Sequence, residues 1–309
     1  MKLAPILLFV YNRPWHTNQT IEELKRNNLA SDSELFIFSD GPKNKSDNKK
    51  VQEVRNVIKN LSGFKKIKIY ERKKNIGLAE SVIKGVTQII RSDKKVVVLE
   101  DDLVTSANFL DFMNRALDFY KDDGRIFSIG GFHYPVEMPQ AYKYDIYLTY
   151  RCNSWGWATW LNRWNKVDWS VKDYNKFKSD QKAQVLFNRG GQDLTKMLEN
   201  QMNGRIDSWA IRWCYAHYKN RAFCLRPTIS KVRNIGLDGS GRHKSVSNLK
   251  TVLDNGKKKT HLITNIKINN DINSNYYRHF TASKVSRVRN YSIGLISLAF
   301  KRFYNVYGK

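Results

Sequence analysis

The chain has 309 residues, 41% of them hydrophobic, enough for one large α/β domain or two small ones whose core needs no staples. Its 54 Lys and Arg against 28 Asp and Glu give a formal net charge of +26, a field that draws polyanions such as nucleic acid, anionic lipid headgroups or phosphorylated ligands. Cys152, Cys214 and Cys224 form no Cys-x-x-Cys pair and lack the density of a disulfide scaffold, so a reducing cytoplasm is the default; no apolar run of about 18 residues and no cleavable leader pattern occur, and the expectation is a protein that neither spans a membrane nor is exported by that route.

Short aliphatic runs alternate with amphipathic segments through the first half, the pattern of βαβ units and a mostly parallel sheet. Strands are predicted at residues 6–10, 34–38, 67–70 and 96–99, with helices at 15–27, 49–60 and 78–91 between them. Ligands of such a sheet collect beyond the carboxyl ends of its strands. The residues there are Asn12-Arg13-Pro14, Ser39-Asp40-Gly41-Pro42, Lys74-Asn75-Ile76-Gly77 and Glu100-Asp101-Asp102. A helix is predicted over 106–120 and a strand over 126–129. Seven of the eight tryptophans then fall between Trp155 and Trp213, where the regular alternation fades and a substrate-facing region is expected. Trp157 and Trp160 are expected to pack in the core and Trp155 to face ligand. A further helix begins near Asp207, whose carboxylate could cap it.

Residues 234–244, with four Gly or Asn, read as a loop, and 245–274, rich in Asn and Lys, as the least ordered stretch. From 284 to 309 there are six Lys or Arg and no acid around the apolar stretch 293–300. That is either a basic amphipathic helix lying on an anionic leaflet or a terminal helix docked on the domain's own core.

The sharpest chemical signal is the apolar strand Val96-Val97-Val98-Leu99 ending in three carboxylates. Adjacent like charges repel, and a hard cation among the oxygens relieves this; Mg²⁺ or Mn²⁺ commonly takes one or two carboxylates together with diphosphate oxygens. The bland alternative is a solvated acidic turn. Arg13 suits bidentate contact with phosphate, and Asp40 can accept from the N–H groups of a base edge. Asn75 and Gly77 lead into a helix whose first amides favour an anion, or Gly77 merely shapes a turn.

A strand ending in Glu100-Asp101-Asp102, with an Arg after the first strand and an Asp after the second, resembles nucleotide-sugar glycosyltransferases of GT-A type. The pattern is similar to N-acetylglucosaminyltransferase I and related bacterial sugar transferases, well over about the first 130 residues and loosely beyond. The resemblance implies a Rossmann-like, mostly parallel α/β sheet with helices on both faces. It divides the chain into a nucleotide-sugar-binding half (1–130), an aromatic-rich acceptor-binding and catalytic half (131–245), and an extension (246–309) with the basic amphipathic tail. It implies that Arg13 and Asp40 contact the nucleotide, Glu100 and Asp101 hold uridine and ribose, and Asp102 binds the metal.

Glycosyl transfer also needs a group to take the acceptor hydroxyl's proton, and one carboxylate suffices for an inverting single displacement. Asp207, in Arg205-Ile206-Asp207-Ser208-Trp209, is the candidate, with Asp168 and Asp193 as rivals. Arg242 and His243, in the glycine-rich loop, could close on a donor diphosphate. His133 reads as structural. The expected activity is inverting transfer of a hexose or N-acetylhexosamine from a nucleoside diphosphate sugar, UDP being the first candidate, to a glycan or lipid-linked acceptor in surface polysaccharide synthesis, on the inner face of the cytoplasmic membrane. A nucleotidyltransferase would need a glycine-rich basic loop after the first strand, which Asn12-Arg13-Pro14-Trp15 is not. No nucleic-acid module is present to match the charge.

Overall fold

A computed structural model describes residues 2–240 and 251–281. The aliphatic run of the first strand, β1 (Ile6–Val10), is buried throughout, and its side chains alternate between two separate cores. Ile6, Leu8 and Val10 face one side with α1 (Pro14–Lys25), α2 (Asn48–Lys59) and α4 (Phe109–Phe119). Leu7 and Phe9 face the other with α3 (Leu78–Asp93) and α9 (Trp209–Lys219).

Around β1 lie β2 (Glu34–Ser39), β3 (Lys66–Glu71) and β4 (Lys95–Glu100), all parallel, with β5 (Leu103–Thr105) following directly. The sheet continues through β6 (Ile126–Gly130), β7 (Ile146–Thr149), β8 (Trp157–Trp160) and β9 (Phe223–Pro227) in the spatial order β3-β2-β1-β4-β8-β6-β9-β7. β8 runs against β4 and β6, and β7 against β9, so these two alone oppose the common direction. β10 (Val232–Asn234) pairs antiparallel with β5 in a small ribbon beside the end of β4. The four parallel strands stand where predicted.

Between β8 and α9 come α5 (Leu161–Trp164), α6 (Tyr174–Ser179), α7 (Gln181–Phe187) and α8 (Asp193–Met202), and α10 (Asn270–Thr281) closes the described chain. The tryptophans of the second half make a core. Trp157, Trp164, Trp169, Trp209 and Trp213 meet at centroid distances of 4.6–6.4 Å on the α3/α9 face. Trp160 is buried on the opposite face, donating to the Leu117 carbonyl at 2.9 Å.

Two expectations are corrected. Cys152 and Cys214, 62 residues apart, meet as a disulfide with a Cα separation of 5.1 Å, because the chain after β7 crosses α9; no sequence spacing announces such a pairing. Residues 251–274 are built into the fold. Ile266 and Ile272 are buried, and α10 docks on β7 through the Tyr147–Tyr276 hydroxyl pair at 2.7 Å and Asn273 donating to the Leu148 carbonyl. The expected basic tail, 284–309, lies outside the described residues, as do Arg242 and His243.

Candidate active site

Strand order reverses direction between β1 and β4, and the crevice beyond their carboxyl ends is where a doubly wound sheet holds its ligand. Arg13 leaves β1 there. Its guanidinium donates to Asp101 and, at 2.9 Å, to Asp102 Oδ2. Burial works against the charged guanidinium, but Asp101 and Asp102 outweigh it and raise its pKa. The turn carrying the carboxylates is pinned from α1: the buried Thr20 hydroxyl donates to the Asp101 carbonyl at 2.8 Å and accepts the Leu103 amide at 3.1 Å.

The three carboxylates differ. Asp101 is buried, and desolvation raises its pKa despite the pull of Arg13 and the Tyr11 amide. Burial, then repulsion from Asp102 and Asp101, push Glu100 up to about 8, although Trp209 donates to it. Asp102 keeps 13% of its side chain exposed and stands at the mouth. Asp101 and Asp102 thus share one guanidinium, while Glu100 beside them is held largely as the neutral acid near pH 7.

The ribbon β5–β10 covers this mouth. The Ile235 amide donates to the Asp102 carbonyl at 2.9 Å, and Gly236 lies so close that a β-carbon there would stand 2.2 Å from Asp102 Oδ2 and 2.7 Å from Arg13 Nη1. Beyond it Asp238 folds back onto α1, its Oδ2 3.0 Å from His16 Nε2. Hydrogen bonds from the Ser240 hydroxyl and amide lower Asp238 to about 2.

Asp40 is buried at the end of β2, and its carboxylate accepts the amides of Gly41, Ile76 and Gly77 at 3.0–3.2 Å. Asn75 donates to the Gly41 carbonyl at 2.8 Å. Asp40 and Asn75 therefore fix the turn before α3, where Gly77 sits at φ +83°, a conformation natural to glycine. A β-carbon on Gly77 would come within 3.3 Å of Asp207 Oδ2, so Asp207 packs directly against the α3 turn.

Asp207 does not cap α9. Ser208 does, its hydroxyl accepting the Ile211 amide. This leaves Asp207 just outside the helix, 45% exposed and 3.8 Å from Arg212, while Trp209 turns inward to Glu100. The rival aspartates are engaged elsewhere: Asp193 is clamped by both Arg151 nitrogens at 2.8 and 2.9 Å, and Asp168 holds the amides of Ser170 and Lys172 in an exposed turn.

Trp155 is half-buried against Phe132 and Tyr134. His133 bonds Tyr147, and burial lowers it to about 4, a neutral structural ring. Asn12, already singled out at the end of the first strand, and Tyr11, which sequence reasoning missed, both donate to Asp47 at 2.9 Å; the contacts of Trp209 and Gly236 were missed as well. Only its position beside Asn12 and Arg13 signalled Tyr11.

Among the described residues no group of three or more His, Cys, Asp or Glu is arranged to hold a metal ion by itself. A Mg²⁺ or Mn²⁺ that draws most of its oxygens from a diphosphate needs only one or two carboxylates. Asp102, at the mouth of a carboxylate cluster short of positive charge, fits that lesser requirement.

Neither family models nor curated proteins match the sequence. Among solved structures the chain is similar to residues 1–349 of S. aureus TarS (TM-score 0.43, 10% identity, over 76% of this chain and 61% of that one). It therefore spans less than two thirds of that protein's length. It is also similar to the mannosyltransferase PcManGT from Pyrobaculum calidifontis, in complex with GDP-Man and Mn²⁺ (0.39, 10%, 70% of each chain), and to a cytidylyltransferase from Leptospira borgpetersenii (0.32, 15%, 54% and 63%). Likeness at this level carries nothing about activity, which rests on the residues themselves. No helix among the described residues is long and apolar enough to cross a membrane.

Proposed function

We propose that the chain is an inverting GT-A glycosyltransferase that moves a hexose or N-acetylhexosamine from a nucleoside diphosphate sugar, with UDP as first candidate, to a glycan or lipid-linked acceptor. The observation that carries this reading is the convergence of Arg13, Glu100, Asp101 and Asp102 at the β1/β4 switch point, with Asp207 against the α3 turn. Arg13 bridges the carboxylates on one side and offers its remaining donors to phosphate. Glu100 and Asp101 would hold the nucleoside, and the Asp40-held turn would offer the first amides of α3 to the donor.

Asp102 would hold Mn²⁺ or Mg²⁺, which supplies charge neutralisation on the diphosphate as it leaves. Asp207 accepts the acceptor hydroxyl's proton while the new glycosidic bond forms and the bond to the diphosphate breaks. Its 45% exposure suits a base that an incoming acceptor must reach. The tail beyond 284, read from sequence alone, would hold the enzyme on the inner leaflet.

Calorimetry with UDP-, GDP-, dTDP- and CMP-sugars, with and without Mn²⁺, tests this. One nucleotide sugar should bind, more tightly with Mn²⁺ and less in chelator. Failure of all four, together with pyrophosphate release from a nucleoside triphosphate and a sugar phosphate, would establish nucleotidyl transfer instead.

A further inference from the structure

The edge of the sheet opposite the carboxylates carries a second concavity. β7 runs against β9 and so against β4; Tyr150, which follows β7, therefore lies at the end of the sheet away from Glu100. Four strand spacings across and one strand length along place it roughly 25 Å from the carboxylates. Two depressions of about 770 and 530 Å³ meet there and share Tyr150 and Arg189 as a common wall.

The chemistry of the lining is one-sided. Arg189 and Arg278 reach the larger depression, and Arg189, Lys219 and Arg221 the smaller; no Asp or Glu lines either. Lys219 is neutralised by Asp173 at 2.6 Å. Among the described residues no carboxylate pairs with Arg189, Arg221 or Arg278. The Arg189 guanidinium lies 4.1 Å from the Tyr150 ring centre, and Arg278 donates only to the Asn275 amide oxygen. The larger depression is otherwise lined by amides and hydroxyls, among them Asn188, Gln192, Ser274 and Tyr277, with Val185 its one aliphatic side chain. Gln192 and Tyr277 bond each other across it, tying α8 to α10.

Unpaired guanidinium groups ask for anions. Planar amides beside a tyrosine ring suit ring hydroxyls and an apolar sugar face, and the larger depression lacks the aliphatic walls an apolar peptide or acyl chain would need; Leu186, Phe187, Ala222 and Phe223 line the smaller one, so the larger is the one suited to a saccharide.

We infer that this groove binds an anionic saccharide, one bearing carboxylate or phosphate groups, at a distance from the transfer site. Resting on the glycosyltransferase reading above, it would hold a remote portion of an acidic acceptor glycan while another portion occupies the cleft beside Asp207. Two-point attachment raises the effective concentration of the reacting end.

The test is calorimetric titration of the full chain with tetragalacturonate, maltotetraose and inorganic phosphate at about physiological ionic strength. Two double variants are compared: Arg189→Gln with Arg278→Gln, and, matched for charge on the exposed start of α2, Lys49→Gln with Lys50→Gln. Tetragalacturonate should bind wild type, and the arginine variant should lose about tenfold or more in affinity while the lysine variant keeps it. Equal losses in both variants would reduce the effect to the diffuse charge of the chain. Undiminished binding in the arginine variant, or equal binding of maltotetraose, would overturn the site, and phosphate displacing tetragalacturonate while binding as tightly would reduce it to a simple anion site. Nucleotide-sugar binding is measured on the same samples. Its failure in wild type refutes the transferase reading and leaves the groove result standing by itself.

Discussion

The two ends of the sheet carry opposite charge imbalances. At the carboxyl ends of β1 and β4, Asp101 and Asp102 share the single guanidinium of Arg13, with Glu100 beside them raised by burial and by their charge. At the far end, Arg189, Arg221 and Arg278 line a groove without a carboxylate. Other buried charges are met within the fold: Lys231 and Asp254, nearly inaccessible, pair at 2.6 Å, and the buried Arg226 donates to the carbonyls of Phe132, Arg151 and Cys152. Buried carboxylates outnumbering their guanidinium favour a cation beside them, whereas the arginines of the far groove are exposed, carry no desolvation cost and leave their charge available to an anion; on the readings proposed above, a cation with its diphosphate belongs at one end and a polyanion at the other.

The hardest blow to this comparison would come from Asp102→Asn. If Asp102 supplies the negative charge that positions a cation on the diphosphate, the variant should lose transfer by a thousandfold or more, roughly 4 kcal/mol of transition-state stabilisation. Chelation should inhibit wild type reversibly. Since Asp102 keeps part of its surface in water and the substitution is isosteric, the melting temperature should hold. Full activity in chelator would remove the cation from one side of the comparison. Loss of folding would make Asp102 a counter-ion for Arg13 and nothing more.

Next in size is Asp207→Asn. Removing a general base typically costs on the order of 10²–10⁴ in turnover. Donor affinity should change far less than turnover, because the proton that Asp207 takes belongs to the acceptor and not to the donor. A fall in donor affinity with turnover kept would place Asp207 in the binding of the donor, and the base would have to be sought elsewhere.

Which of these features were legible in the sequence follows from their range. The parallel strands were readable because each is a short aliphatic run, and Arg13, Asp40 and the triplet because charged residues at the ends of such runs need a reason to be there. Everything that depends on chain segments far apart was not readable. Asp40 was expected to meet a base edge, yet its oxygens are engaged by amides more than thirty residues ahead. Trp209 looked like one more core tryptophan, and nothing local shows that it reaches Glu100. Cys152 and Cys214 carry no spacing signal. For Asp207 the sequence leaves base and helix cap both open, and the backbone gives the cap to Ser208. The far groove draws its lining from α7, the turn at 188–192, the end of α9, α10 and the residues flanking β7 and β9, and no single segment of the sequence contains it.

The finest adjustment to the comparison is Gly236→Ala. A β-carbon there would stand 2.2 Å from Asp102 Oδ2 and 2.7 Å from Arg13 Nη1, closer than any real contact allows. Either the ribbon shifts outward or the Arg13–Asp102 contact opens. Overpacking of this kind typically costs about 1–3 kcal/mol. Because Gly236 stands at the mouth and not in either core, the cost should fall on the site, seen as a tenfold or larger loss of nucleotide-sugar affinity with a small change in melting temperature. The anionic groove, on the other end of the sheet, should keep its affinity for tetragalacturonate. If both sites weakened together, the two ends would be coupled through the sheet and could no longer be treated as separate answers to opposite imbalances. If neither changed, the ribbon would be free to move away from Asp102, and its approach to the carboxylates would carry no weight in donor binding.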